Sequence, residues 1–233
     1  MFTQCVKNDP EAVFCHDRLG MALEARGERS AARSQLEQAV ALAPDNGMYR
    51  YDLGLVDESA GGWSAAERAM AAGLALMNRP PASAYARLAI VADAAGDAAG
   101  ADAALARAEK LPGGAAMAAI VRAQILRRHG DLAGSARALD AILARDPNNP
   151  QALAAFAMTL AAEGRPTDAL AAYRHASAIL PREPALHYRV ASILHRLGRD
   201  REARAECAAA LAAAPNDPAA LALMHEIEPR PDQ

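Results

Sequence analysis

Six glycines, Gly27, Gly61, Gly96, Gly130, Gly164 and Gly198, follow one another at spacings of 34, 35, 34, 34 and 34 residues. Nothing else in the chain constrains its fold as much. A period near 34 residues belongs to a helical hairpin, whose apolar face is too large to leave in water and is buried by stacking on the next copy. Six such units take up most of the 233 residues and leave no room for a separate catalytic domain. The composition agrees: 52% of residues are hydrophobic, many of them alanine, the best helix former.

Other positions keep step with the glycine. Seven residues before it lies a small residue: Gly20, Gly54, Ala89, Ala123, Ala157 or Ala191. Five residues after it stands Ala32, Ala66, Ala101, Ser135, Ala169 or Ala203. Small side chains at both places let two antiparallel helices approach closely. Nine residues after it comes a bulkier group, Leu36, Met70, Leu105, Leu139, Tyr173 or Cys207, and three further on Ala39, Gly73, Ala108, Ile142, Ala176 or Ala210. Spacings of three and four place these on one helix face. Pro44, Pro147, Pro181 and Pro215 close the second helix of their units, with Asn78 and Gly113 in their place in the second and third.

In this register the chain resembles the tetratricopeptide repeat family, whose pattern carries a Leu-Gly pair, an Ala, a large apolar residue, a second Ala and a Pro. Leu19-Gly20 and Leu53-Gly54 reproduce the pair, and the resemblance runs from Val13 to Asp217. It implies an all-α fold, a right-handed superhelical α-solenoid of antiparallel helix pairs. The units read 13–46, 47–80, 82–115, 116–149, 150–183 and 184–217, after an N-terminal cap or partial upstream repeat at 1–12. A capping helix follows at 218–228 and a tail at 229–233. The one-residue insertion at Asn78-Arg79-Pro80-Pro81 and the junction Leu111-Pro112-Gly113-Gly114, with glycine at the closing-proline position, flank the third unit and predict looser stacking there.

Chemistry-bearing residues form no catalytic constellation. The six histidines show no HExxH or similar metal-ligand spacing, and no GxSxG elbow or phosphate loop occurs. The reading is therefore of a non-enzyme without catalytic residues, cofactor or metal. Cys5, Cys15 and Cys207 are odd in number and lack CxxC spacing, which predicts neither a disulfide framework nor a zinc site and suggests a reducing compartment. With no signal-like start and no apolar run of about 18 residues, the expectation is a cytoplasmic location if the N-terminus is authentic. A net charge of -3 argues against nucleic acid as partner and gives no basis for membrane insertion. Trp63, two residues past a turn glycine, reads as packing across its hairpin. Phe2, left at an open end, makes end-to-end homo-oligomers a reasonable expectation.

The family resemblance implies that first helices line a concave groove, which assigns residues to a partner-binding stripe. The first repeat supplies Phe14, Asp17, Met21 and Glu24, the second Met48, Tyr51, Leu55 and Glu58, and the third Ser83, Ile90 and Asp93. Ile120, Gln124, Arg127 and Arg128 follow from the fourth repeat, Gln151 and Met158 from the fifth, and Tyr188, Ser192, His195 and Arg196 from the sixth. Apolar residues and acids dominate the first half, arginines the second. The whole chain shows only a mild version of this: 11 basic and 15 acidic side chains in residues 1–115, 14 and 13 in 116–233. The stripe has no lysine or asparagine, so neither the family's carboxylate clamp for chaperone tails nor its asparagine ladder carries over. The expected function is a scaffold or adaptor holding a peptide or protein in the groove. The alternative is the repeat domain of a larger bacterial protein, a glycosyl- or sulfotransferase or an envelope-assembly factor.

Overall fold

The computed structural model describes residues 2–227. Residue 228 and the expected tail at 229–233 lie outside them. All regular elements among the described residues are helices: α1 (Phe2–Asn8), α2 (Val13–Ala25), α3 (Arg29–Leu42), α4 (Gly47–Ser59), α5 (Trp63–Leu76), α6 (Ala82–Ala95), α7 (Ala98–Glu109), α8 (Gly114–Arg128), α9 (Leu132–Leu143), α10 (Pro150–Ala162), α11 (Pro166–Ile179), α12 (Pro184–Arg196), α13 (Asp200–Ala213) and α14 (Pro218–Glu226). They fall into two compact bodies, each holding several repeats, divided within α8: unit one, residues 1–121, and unit two, residues 122–233. In each, a helix packs on its successor to form hairpins, and the second helix of a hairpin packs on the first helix of the next. This is the helix-pair stacking of an α-solenoid.

The glycine ladder has a backbone cause. All six ladder glycines take φ between 71° and 85° at the turn joining the two helices of a pair. A side chain is strained in that left-handed region. The small residues have a packing cause. A Cβ on Gly20 would sit 2.7 Å from Leu36 Cγ, and one on Gly54 2.6 Å from Met70 Cγ. The register positions counted forward from each glycine are buried in every unit, Ala32, Leu36 and Ala39 completely. Where the fourth unit has Ser135 instead of alanine, its buried hydroxyl pairs with Thr159 Oγ1 at 2.9 Å, and Thr159 donates to Ala155 O. Burial without such partners would be costly.

Turn residues cap the helices that follow. Asn46, Asp97, Asp131, Asn149 and Asp217 each accept a backbone N–H from the first turn of α4, α7, α9, α10 and α14. Such caps are typically worth about 1 kcal/mol each. Gly113, at the junction expected to be loose, has φ 70°, and a Cβ on the neighbouring Gly114 would collide with the Ala108 carbonyl. Those glycines fit a tight turn rather than adding slack. A cavity of about 260 Å³ lies between α5, α6 and α7, with alanines, Leu74, Leu88 and Tyr85 among its lining.

The N-terminal end corrects the cysteine reading. Helix α1 folds back on α2 through the turn at Asp9, with Asp9 N–H donating to Cys5 O. This brings the Cα atoms of Cys5 and Cys15 to 6.0 Å, and the two form a disulfide. They are not separate thiols, and the bond gives no support to a reducing compartment. Cys207 is free and buried, occupying a core position of α13.

Candidate partner-binding faces

In unit one most of the acids expected along the stripe are withdrawn from water or paired. Asp17 is 0% exposed, which corrects its reading as a groove-lining charge. Arg18 Nε lies 3.1 Å from Asp17 Oδ2, but neither carboxylate oxygen finds a well-aligned hydrogen-bond donor. Asp52, from α4, is also buried, and desolvation first, then the neighbouring Asp17 charge, pushes its pKa up to about 7. A proton on Asp52 is the donor Asp17 lacks. Glu58 accepts from Arg87 Nε of α6 at 2.7 Å, Glu24 is half-buried with Oε2 unpartnered, and Asp93 is engaged in an interaction of its own.

The apolar residues expected beside them divide three ways. Phe14 is 58% exposed, yet its ring meets Phe2 edge-on with centroids 6.5 Å apart, and the Arg18 guanidinium sits 5.3 Å from its centre. Met21 packs on the small core of Ala32, Leu36 and Val56. Met48, half exposed, lines a hollow at the turns between successive repeats with Leu76 and Met77. Tyr51, Leu55 and Ile90 are half-buried, and burial raises the Tyr51 pKa. Trp63 remains 39% exposed and borders a surface hollow with Ala94 and Ala95 of α6.

Unit two is built differently. Arg127 of α8, Met158 of α10, and Ser192 and Arg196 of α12 line one cavity of about 200 Å³. They come from three successive first helices. Three further walls are Ala161, Arg189 and Ile193, and Tyr173 of α11 completes the lining. Tyr173 is almost fully buried; desolvation raises its pKa, while Arg189 and Arg127 pull it down. No acidic side chain lines this space. Arg127, Arg189 and Arg196 have no carboxylate partner among the described residues.

The remaining stripe residues lie elsewhere. His195 Nδ1 is 2.7 Å from Asp200 Oδ1 and its Nε2 3.5 Å from Glu226 Oε1, and the Asp200 hydrogen bond chiefly raises its pKa. Tyr188 packs on the unit-two core with Arg189 over its ring at 6.0 Å. Ile120 and Gln124 are half-buried, and the exposed Arg128 has an interaction of its own. Sequence reasoning missed Arg189 and the use of Tyr173 as part of a lining. Arg189 lies three residues before Ser192 and seven before Arg196, a helical spacing that places all three on one face. No group of three or more His, Cys, Asp or Glu among the described residues is arranged to hold a metal. No helix among them is long and apolar enough to cross a membrane.

Two family models, both described as tetratricopeptide repeat, match residues 86–150 and 160–227, together more than half of the chain. A search of curated proteins finds no match. Among solved structures, a tetratricopeptide repeat protein from Parabacteroides merdae is similar at 12% identity and TM-score 0.74, over 98% of this chain and 90% of that one. PilW, a type IV pilus biogenesis factor, is similar at 16% identity and TM-score 0.62, over 91% and 98%. A chain of the Cut9–Hcn1 hetero-tetramer of the APC/C is similar at 14% identity and TM-score 0.59, over 98% of this chain. This chain spans 45% of that one. The glycine turns, the small-residue contacts and the stacked hairpins have the same source: this chain belongs to the tetratricopeptide repeat family.

Proposed function

We propose that the protein is a non-catalytic interaction scaffold that holds a peptide or protein segment against its first-helix faces, with the face of α8, α10 and α12 as the principal contact. One observation carries this reading. Arg127, Met158, Ser192 and Arg196, from three different helices, converge on a single cavity instead of pairing among themselves. A row of first helices built only to be stacked has no need of such convergence. Two similar structures, a pilus biogenesis factor and a member of a hetero-tetramer, are compatible with work in protein assemblies.

Selection of binders from a displayed random-peptide library tests it. Peptides enriched on the intact protein are expected to lose binding to a variant carrying Arg127→Glu and Met158→Glu, with helicity by circular dichroism unchanged. Enriched peptides that bind the variant as well as the original contradict this face as the contact. Selection that yields no saturable binder contradicts the scaffold reading itself.

A further inference from the structure

The cavity of unit two is lined by three arginines and by no acidic side chain. Other arginines of the same unit do meet acids, Arg165 with Glu163 and Asp168, and Arg174 and Arg199 with Glu202. Around the cavity, Arg127 comes from α8 and Arg189 and Arg196 from α12, two helical turns apart on one face. Like charges held near a shared space repel, and a bound counter-charge relieves that repulsion.

We propose that this cavity is an oxyanion site for a phosphomonoester. The inference rests on the reading of this face as a binding surface and adds the chemistry of the bound group. Charge is the first argument. A phosphomonoester carries about -1.5 to -2 at neutral pH and three acceptor oxygens, which match three cations better than the single charge of a carboxylate or a phosphodiester. Shape is the second. Donors from two helices, with the Ser192 hydroxyl between Arg189 and Arg196 in sequence, suit a tetrahedral group, whereas a planar carboxylate is satisfied by one guanidinium fork. The mixed wall is the third: Met158, Ala161 and Ile193 give the carbon side of the ester an apolar surface next to the arginines.

Arginine side-chain NMR on the intact chain tests the site, following Nε–Hε resonances at low salt. The probes are inorganic phosphate, a phosphoserine peptide, its unphosphorylated form, acetate and a single-stranded oligonucleotide. Phosphate and the phosphopeptide are expected to shift Arg127, Arg189 and Arg196 saturably. Arg189→Gln with Arg196→Gln is expected to weaken binding at least about tenfold. Arg145→Gln, which removes an equal charge at an exposed turn after α9, is expected to leave it unchanged. Arg127→Gln alone serves as the second variant should the double one lose helicity. Tighter binding of the phosphopeptide than of inorganic phosphate assigns the source to a phosphorylated segment, and the reverse order to free phosphate. Non-saturable shifts, equal shifts with acetate, or tighter binding of the oligonucleotide overturn the proposal. Saturable binding of the unphosphorylated peptide with no response to phosphate overturns the phosphate site while leaving the scaffold reading standing. Phosphate binding with no peptide binding does the opposite.

Discussion

The two units use the same hairpin and treat charge on their first helices in opposite ways. In unit one the acids are mostly absorbed: Asp17 and Asp52 are buried side by side, and Glu58 is held by Arg87. In unit two, Arg127, Arg189 and Arg196 surround a cavity and no acidic side chain lines it. A stripe of charges in a sequence is therefore not yet a binding surface. What separates the two faces is whether burial, a proton or an oppositely charged neighbour within the fold has already used up the charge.

The disulfide offers the largest effect by which to probe the contrast. Cys5 and Cys15 close a loop across ten positions, which on chain-entropy grounds stabilises the docked α1 by about 3 kcal/mol. Cys5→Ser with Cys15→Ser, or reduction, is expected to release α1 and with it the Phe2 contact on Phe14, seen as fast amide exchange over residues 2–8. Phosphate binding in unit two is expected to stay unchanged. A loss of that binding on reduction would break the separation between the two faces.

The buried acid pair comes next. Burial and the Asp17 charge raise the Asp52 pKa from 3.8 to about 7, so the folded chain holds a proton between those values that the unfolded chain has released. The stabilisation from that proton is present below about pH 4 and disappears as pH rises through about 7. Asp52→Asn is expected to raise the melting temperature at pH 8 by a few degrees, at about 2–4 °C per kcal/mol, and to change little at pH 4. Equal effects at both pH values would show that no proton is shared there.

Ser135→Ala is expected to cost about 1–2 kcal/mol in urea unfolding, because Thr159 loses the hydroxyl it meets at 2.9 Å in the unit-two interior. Replacing both residues, Ser135→Ala with Thr159→Val, is expected to recover part of it. The smallest effect belongs to the Glu58–Arg87 pair, where Arg87 is half exposed. Glu58→Gln is expected to change stability by less than about 1 kcal/mol while freeing Arg87. If Arg87 then binds phosphate, pairing is what distinguishes the two faces.

The hairpin array could be read from residue types because its causes are local. Positive φ at Gly27 or Gly130 selects glycine, and Leu36 against Gly20 leaves no room for a Cβ. The fate of the stripe was less legible. Asp17 and Arg127 both fall on the stripe in a linear reading, and their difference comes from Arg18, Asp52 and the fold around them. Arg189 lies outside the family's stripe positions and is signalled only by the 189, 192, 196 spacing. The disulfide depends on α1 turning back at Asp9, a tertiary contact that an odd cysteine count does not disclose.

The most direct test labels the methyl groups of methionine with ¹³C and titrates the intact protein with the phosphoserine peptide. Met158 lines the arginine cavity, while Met21 and Met48 belong to unit one. The account predicts a saturable shift of Met158 with Met21 and Met48 unmoved. Saturable shifts of Met21 and Met48 with Met158 silent would contradict it.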